Sequence, residues 1–174
     1  MTEPPAAADP NRAQRQLTLR AATSADIWWL LREGLDLRKA GEQYSIWETP
    51  LQLVVAPARA VLAQRRANVA AIVEVDGRRA GYIGPNPLSA NIEYFLAPWA
   101  RGGLGRRMIA EYLGVFRRSD RARRLFVSYR NERSKAALLG AIEQLGWSDD
   151  VRVEAHRFGW HVIIPAVGRP DPEG

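Results

Sequence analysis

The chain has 174 residues, 47% of them apolar and 25% charged, with a formal net charge of +6; that suits one globular domain with a sizeable core. Cysteine is absent and His156 and His161 are the two histidines, which excludes a disulfide framework, a thiol nucleophile and a cysteine-based zinc site. Neither histidine has carboxylates at metal spacing, no apolar run approaches a membrane span, and the N-terminus lacks an apolar signal core, so a soluble cytoplasmic protein without a metal is expected.

The positive charge is unevenly placed. Residues 101 to 133 hold ten arginines against Glu111, Asp120 and Glu132, and such a surface can face nucleic acid, an anionic cofactor or solvent. Lysine is confined to Lys39 and Lys135, so the other reading is that arginine stands in for lysine on an ordinary solvated surface.

Residues 1–15 are rich in Pro and Ala without periodicity and read as a disordered tail, as do residues 166–174. One domain is expected across 16–165. Gln16 to Ala21 alternates as a strand. Thr23 or Ser24 caps a helix with Asp26 in its first turn and Ile27, Leu30, Leu31 and Leu35 as its buried stripe. Residues 42–50 form a connection carrying Tyr44 and Trp47, which either contact a substrate or pack on the core. A second helical segment, offset by Pro57, buries Val61 and Leu62.

Asn68 to Val75 is a strand, Asp76-Gly77 a hairpin turn, and Arg79 to Gly84 the partner strand. Asn91 to Ala97 is a further strand that runs through Pro98 into Arg101-Gly102-Gly103-Leu104-Gly105. A helix follows at once, with Leu104, Met108, Ile109, Tyr112, Leu113 and Phe116 on one face. A strand that turns through glycines into a helix leaves unpaired N–H groups at the helix start. Those donors, the helix dipole and Arg101, Arg106 and Arg107 suit a phosphate group. Adjacent helical positions cannot both face one ligand, so at least one of Arg106 and Arg107 is solvated surface.

Leu125 to Arg130 is the next strand. Asn131 to Leu145 is a helix with Ser134, Ala137, Leu138, Ala141, Ile142 and Leu145 inward, ended by Gly146. Residues 151–157 and 160–165 make a final strand pair. The two strand–helix–strand crossovers call for partly parallel pairing, beside an antiparallel meander.

Leu96, Pro98, Arg101 and Gly102, then Gly103-Leu104-Gly105, match a V-x-P-x-x-R-G-x-G-x-G/A motif through a turn one residue short, with Ala100 at its usual Arg or Gln position. Asn131 and Ser134, with the helix closing at Gly146-Trp147, match a second motif, N-x-x-A/S. Together and in this order they resemble the GNAT superfamily of N-acetyltransferases, over roughly residues 16–147 and more loosely the final strands. The resemblance implies an α/β (α+β) fold with a mixed, mostly antiparallel central sheet of six to seven strands and about four helices.

It also implies acetyl-CoA, or another acyl-CoA, as co-substrate and direct transfer to an amine acceptor in a ternary complex. Gly102, Gly103, Leu104, Gly105, Arg101 and Arg106 would hold the pyrophosphate, and Asn131 and Ser134 the pantetheine arm. Backbone N–H groups of Phe95, Leu96 and Ala97 would meet the oxyanion. Leu138 stands where relatives carry a tyrosine that protonates the thiolate, which leaves Tyr129 as the nearest phenol by sequence. Glu93 is the first candidate for the base that accepts the amine proton, set against an outward polar residue of an alternating strand. Tyr44 and Trp47 would shape the acceptor pocket, with His156 and His161 at its end if the last strands form a hairpin. The alternatives are an acyl-CoA-binding sensor without efficient chemistry and, last, an RNA-associated protein, which lacks an aromatic-interleaved motif. Membrane association is not expected, and a homodimer is left open.

Overall fold

A computed structural model describes residues 15–39, 58–62, 69–85, 92–116, 123–128, 132–157 and 159–165. Chain order runs β1 (Leu17–Ala21), a 3-10 turn (Ser24–Asp26), α1 (Ile27–Lys39) and α2 (58–62). It continues with β2 (Ala71–Val75), β3 (Arg78–Pro85), β4 (Ile92–Leu96), a 3-10 turn (Pro98–Ala100) and α3 (Leu104–Phe116). The remaining elements are β5 (Arg123–Ser128), α4 (Glu132–Gln144), β6 (Arg152–His156) and β7 (Gly159–Ile164). No helix among the described residues is long and apolar enough to cross a membrane.

The expected single sheet is divided in two. Strands β1-β2-β3-β4 form one sheet and β5-β7-β6 the other, and every described ladder is antiparallel. Among the described residues the crossovers therefore create no parallel ladder. Strand β7 enters between β5 and β6 and gives each an antiparallel neighbour, while β4 and β5 adjoin without sharing a ladder. Among the described residues, one edge of β4 therefore has no ladder partner.

Period-two alternation sends successive side chains of each strand to opposite faces, and each face has its own core. Helices α3 and α4 cover one face, where Leu104, Met108, Ile109, Leu113 and Leu138 pack with Val73, Ile83, Leu125, Val127 and Val162. These residues come from both sheets, so one core joins them. On the other face Leu30 and Val61 pack with Ile72, Tyr82 and Phe95. Burial of each such side chain contributes about 1.5–3 kcal/mol.

The predicted stripes hold for α3 from Leu104 to Leu113 and for α4, and hold only partly for the first two helices; the Phe116 side chain lies outside the described residues. Leu30 is fully buried, but Leu35 is 44% and Leu62 73% exposed. Five residues of helix rotate Leu35 about 140° from Leu30, and one residue rotates Leu62 about 100° from Val61. Neither leucine can share its neighbour's core contact.

The hairpin turn forms as expected, with Asp76 at φ 53° and Gly77 at φ 75°. The start of α1 owes its position to an ion cluster that joins β1, the 3-10 turn, β2 and β3. Both Arg20 terminal nitrogens donate to the Asp26 carboxylate at 2.8 Å, Arg20 Nε donates to Glu74 at 2.8 Å, and Arg79 Nε lies 3.1 Å from Asp26 Oδ1. The Thr23 N–H donates to the same carboxylate at 2.9 Å. Asp26 is 1% exposed, and the Arg20 guanidinium holds its carboxyl well below the usual carboxylate range.

Candidate active site

Strand β4 delivers adjacent residues to opposite faces. Ile92, Tyr94 and Leu96 pack toward α3 and α4, whereas Phe95 packs with Tyr82 and Leu30 toward α1. Glu93 shares the Phe95 face by alternation and is partly buried. Its cross-strand partner is Gly84. The Tyr82 hydroxyl stands over that glycine, where an added Cβ would lie 2.6 Å from the Tyr82 oxygen and 2.9 Å from Ala70 Cα. Burial, then the nearby Glu93 charge, pushes the Tyr82 phenol far above its ordinary range. The partly buried carboxylate thus lies on the α1 side near the Tyr82 phenol.

The Ala97 N–H donates to the Ala80 carbonyl at 2.7 Å. Antiparallel ladders alternate bonded and non-bonded pairs, so with Ala97 and Phe95 turned to β3, the N–H and C=O of Leu96 turn away from it. The Leu96 carbonyl accordingly accepts from Arg101 Nε at 3.1 Å. Of the three amides expected to meet an oxyanion, those of Phe95 and Ala97 turn to β3 and that of Leu96 turns to the β4 edge beside β5.

The shortened glycine turn is built in two steps. Ala100 N–H bonds the Ala97 carbonyl at 2.9 Å and Arg101 N–H bonds the Pro98 carbonyl at 3.3 Å, so both amides are used by the 3-10 turn. Gly102 and Gly103 then take φ values of 99° and 97°, a conformation that side-chain-bearing residues rarely adopt. The chain reverses into α3 with Leu104 buried at 3%. The amides of Gly102, Gly103, Leu104 and Gly105 are those left at the helix start, together with its dipole.

Neither following arginine points at this turn. Arg106 lies across α4, with its Cδ against Gly140 and its Nε donating to Gln144 Oε1 at 3.3 Å. Arg107 donates to the Arg15 carbonyl at 3.0 Å and lies 3.9 Å from Glu111. The helix turns these side chains outward or onto α4, so the structure does not bring Arg106 to the phosphate position expected of it. A cavity of about 520 Å³ lined by Arg106, Gly140, Glu143 and Val153, among others, lies beside α4 and β6 and includes neither Glu93 nor Gly102, Gly103 and Gly105 of the turn.

Helix α4 supplies the remaining contact. The Tyr94 hydroxyl donates to the Ser134 carbonyl at 3.2 Å and meets the Ser134 hydroxyl. Burial pushes the Tyr94 phenol up, and the Ser134 bond only partly opposes that. Leu138 is fully buried in the core. Sequence reasoning missed Tyr94; its place next to Glu93 in an alternating strand was the available signal. His156 and His161 do come together on the β6–β7 hairpin, with rings stacked at 4.8 Å. Val162 and Ile164 face the α4 core, so His161 faces away from it. Tyr44, Trp47, Tyr129 and Asn131 lie outside the described residues.

No protein-family model and no curated protein matches the sequence. Solved structures do match. The aminoglycoside acetyltransferase AAC(6')-Ib in complex with ribostamycin and coenzyme A is 15% identical, with 90% of this chain and 99% of that one covered and a TM-score of 0.60. Spermidine N-acetyltransferase from Vibrio cholerae in complex with CoA and spermine is 17% identical, with 87% and 96% covered and a TM-score of 0.59. An acetyltransferase of the GNAT family from Streptococcus pneumoniae is 14% identical, with 85% and 97% covered and a TM-score of 0.51. The chain has the fold of the GNAT acetyltransferases.

Proposed function

We propose that this protein is an acyl-CoA-dependent N-acyltransferase that moves an acetyl group from acetyl-CoA to an amine in a ternary complex. The observation that carries this reading is the continuity of the open β4 edge with the glycine turn. Arg101 joins the two through the Leu96 carbonyl at 3.1 Å. Structures of the same fold with coenzyme A bound support it further.

The turn fits a diphosphate. Gly102 and Gly103, at φ 99° and 97°, aim consecutive amides outward, and the α3 dipole adds a positive end. Gly102, Gly103, Leu104 and Gly105 would bind the diphosphate, with Asn131 and Ser134 along the pantetheine arm. Acetyl-CoA supplies the activated acyl group when bound. The residues of this chain supply the rest. Glu93 accepts the proton that the amine must lose before it attacks, a role for which partial burial beside an apolar face suits a carboxylate. The Leu96 N–H donates to the acyl oxygen as charge develops there. Arg106 is engaged with Gln144 and is left out of this assignment.

The acceptor is an amine reached from the α1 face, and Tyr44 and Trp47 would shape its pocket. The protein works as a soluble cytoplasmic enzyme. Thermal stabilisation by acetyl-CoA, but not by inorganic pyrophosphate at equal charge, tests binding; amine-dependent release of free thiol tests transfer. Stabilisation without thiol release from any amine would leave a binding protein and remove the enzyme.

A further inference from the structure

Resting on the acetyl-transfer reading above, the geometry points to the Tyr94 hydroxyl as the group that returns a proton to the departing thiolate, with Ser134 as its positioning residue. Glu93 and Tyr94 are consecutive in β4 and leave it on opposite faces. Glu93 shares the α1 face with Phe95 and Tyr82, whereas Tyr94 packs on the α3 and α4 side. The two proton transfers that acyl transfer needs are opposite in direction, and the strand separates two groups suited to them. The Leu96 backbone lies at the edge between those faces.

The Tyr94 hydroxyl is also on the route a ligand anchored at the glycine turn would follow. An added Cβ at Gly105 would lie 3.7 Å from Ala137 Cβ, so the start of α3 touches α4. Ser134 is one helical turn before Ala137 on the same face. The Tyr94 oxygen meets Ser134 there, 3.2 Å from its carbonyl. Glycine turn, Ala137, Ser134 and Tyr94 are therefore contiguous. Leu138, which points inward from the same helix, is fully buried and carries no transferable proton.

The phenol is protonated near neutral pH, and the Ser134 bond, which counters the upward push of burial, favours its release of the proton. In the transfer, the C–N bond forms and the C–S bond breaks. The amine proton passes to the Glu93 carboxylate and the Tyr94 proton passes to sulfur. The phenolate then regains a proton from solvent through the Ser134 hydroxyl, and Glu93 releases its proton to solvent. Neither oxidant nor metal is consumed.

The test compares wild type, Tyr94→Phe and Ser134→Ala by calorimetric binding of coenzyme A and desulfo-coenzyme A, and by turnover. Wild type should bind coenzyme A roughly fivefold more tightly than the desulfo form, the worth of one hydrogen bond to sulfur. Tyr94→Phe should abolish that preference, keep desulfo-coenzyme A affinity within about twofold, and lower kcat about 100-fold with little change in KM. Ser134→Ala should lower kcat about tenfold and keep part of the preference. Turnover of Tyr94→Phe within about twofold of wild type, or equal loss of affinity for both ligands, overturns the proposal and makes Tyr94 a structural tie. If Tyr94→Phe melts far below wild type, Ser134→Ala decides the matter by the same ratios. Failure of wild type to bind either ligand defeats the acetyl-transfer reading itself.

Discussion

Arg101 donates from Nε to the Leu96 carbonyl at 3.1 Å, a bond that fastens the glycine turn to the end of β4. Without it the last carbonyl of the strand faces an open edge, and the turn loses its link to the sheet. Arg101→Ala is expected to weaken acetyl-CoA binding about tenfold by calorimetry, the scale of one hydrogen bond to a charged group. Arg101→Lys keeps the charge but loses the planar Nε donor, and should fall between the two.

Gly103 has open space around it and a φ of 97°, so an added methyl group meets no atom and acts through the backbone alone. Gly103→Ala should lower stability by about 1–2 kcal/mol and weaken acetyl-CoA binding at the same time. Gly84 is different, because a Cβ there would lie 2.6 Å from the Tyr82 hydroxyl. Gly84→Ala should destabilise by about 1–3 kcal/mol through overpacking and shift the phenol next to Glu93. Thermal melts in the presence and absence of acetyl-CoA distinguish the two cases.

Asp26 controls the acid limb of stability. Its folded pKa lies below the unfolded value, so its stabilisation is fully present above about pH 4 and is lost as the pH falls below that. Asp26→Asn should cost about 3 kcal/mol at pH 7, because it leaves Arg20 and Arg79 without their buried partner. Urea melts at neutral pH and near pH 3 should show the wild-type advantage shrinking in acid. An advantage that stays constant across this range would contradict the assignment.

Glu93→Gln removes the proposed proton acceptor while preserving shape. Turnover should fall about 100- to 1,000-fold, with acetyl-CoA affinity within about twofold of wild type. Raising the pH should restore part of the lost rate as more amine arrives already deprotonated. A variant with unchanged kcat would move the proton acceptor elsewhere on the α1 face.

Local pattern was sufficient where one element decides its own structure. Asp76-Gly77 marked the hairpin by turn chemistry, the α3 stripe from Leu104 to Leu113 marked a buried face, and Gly102-Gly103 marked the reversal before α3. Pattern was insufficient where a residue's partner lies in another element. Asp26 read as a helix-start acid, yet its strongest partners come from β1 and β3. Arg106 read as a phosphate ligand, yet Gln144 of α4 holds it. Alternation left Glu93 facing either the cleft or solvent and gave Tyr94 no role, because both depend on where α1 and α4 pack. The division into two sheets was equally illegible, because β7 inserts between β5 and β6 from the far end of the chain.

The central claim is acetyl transfer to an amine, and the most direct measurement is free-thiol release from acetyl-CoA across a panel of polyamines, aminoglycosides and peptide N-termini. The account predicts release that requires both the protein and a particular amine, with one acetyl group gained by that amine for each thiol freed. It also predicts near-complete loss of this release in Glu93→Gln. Binding of acetyl-CoA with no amine-dependent release, or release that Glu93→Gln leaves unchanged, would contradict it.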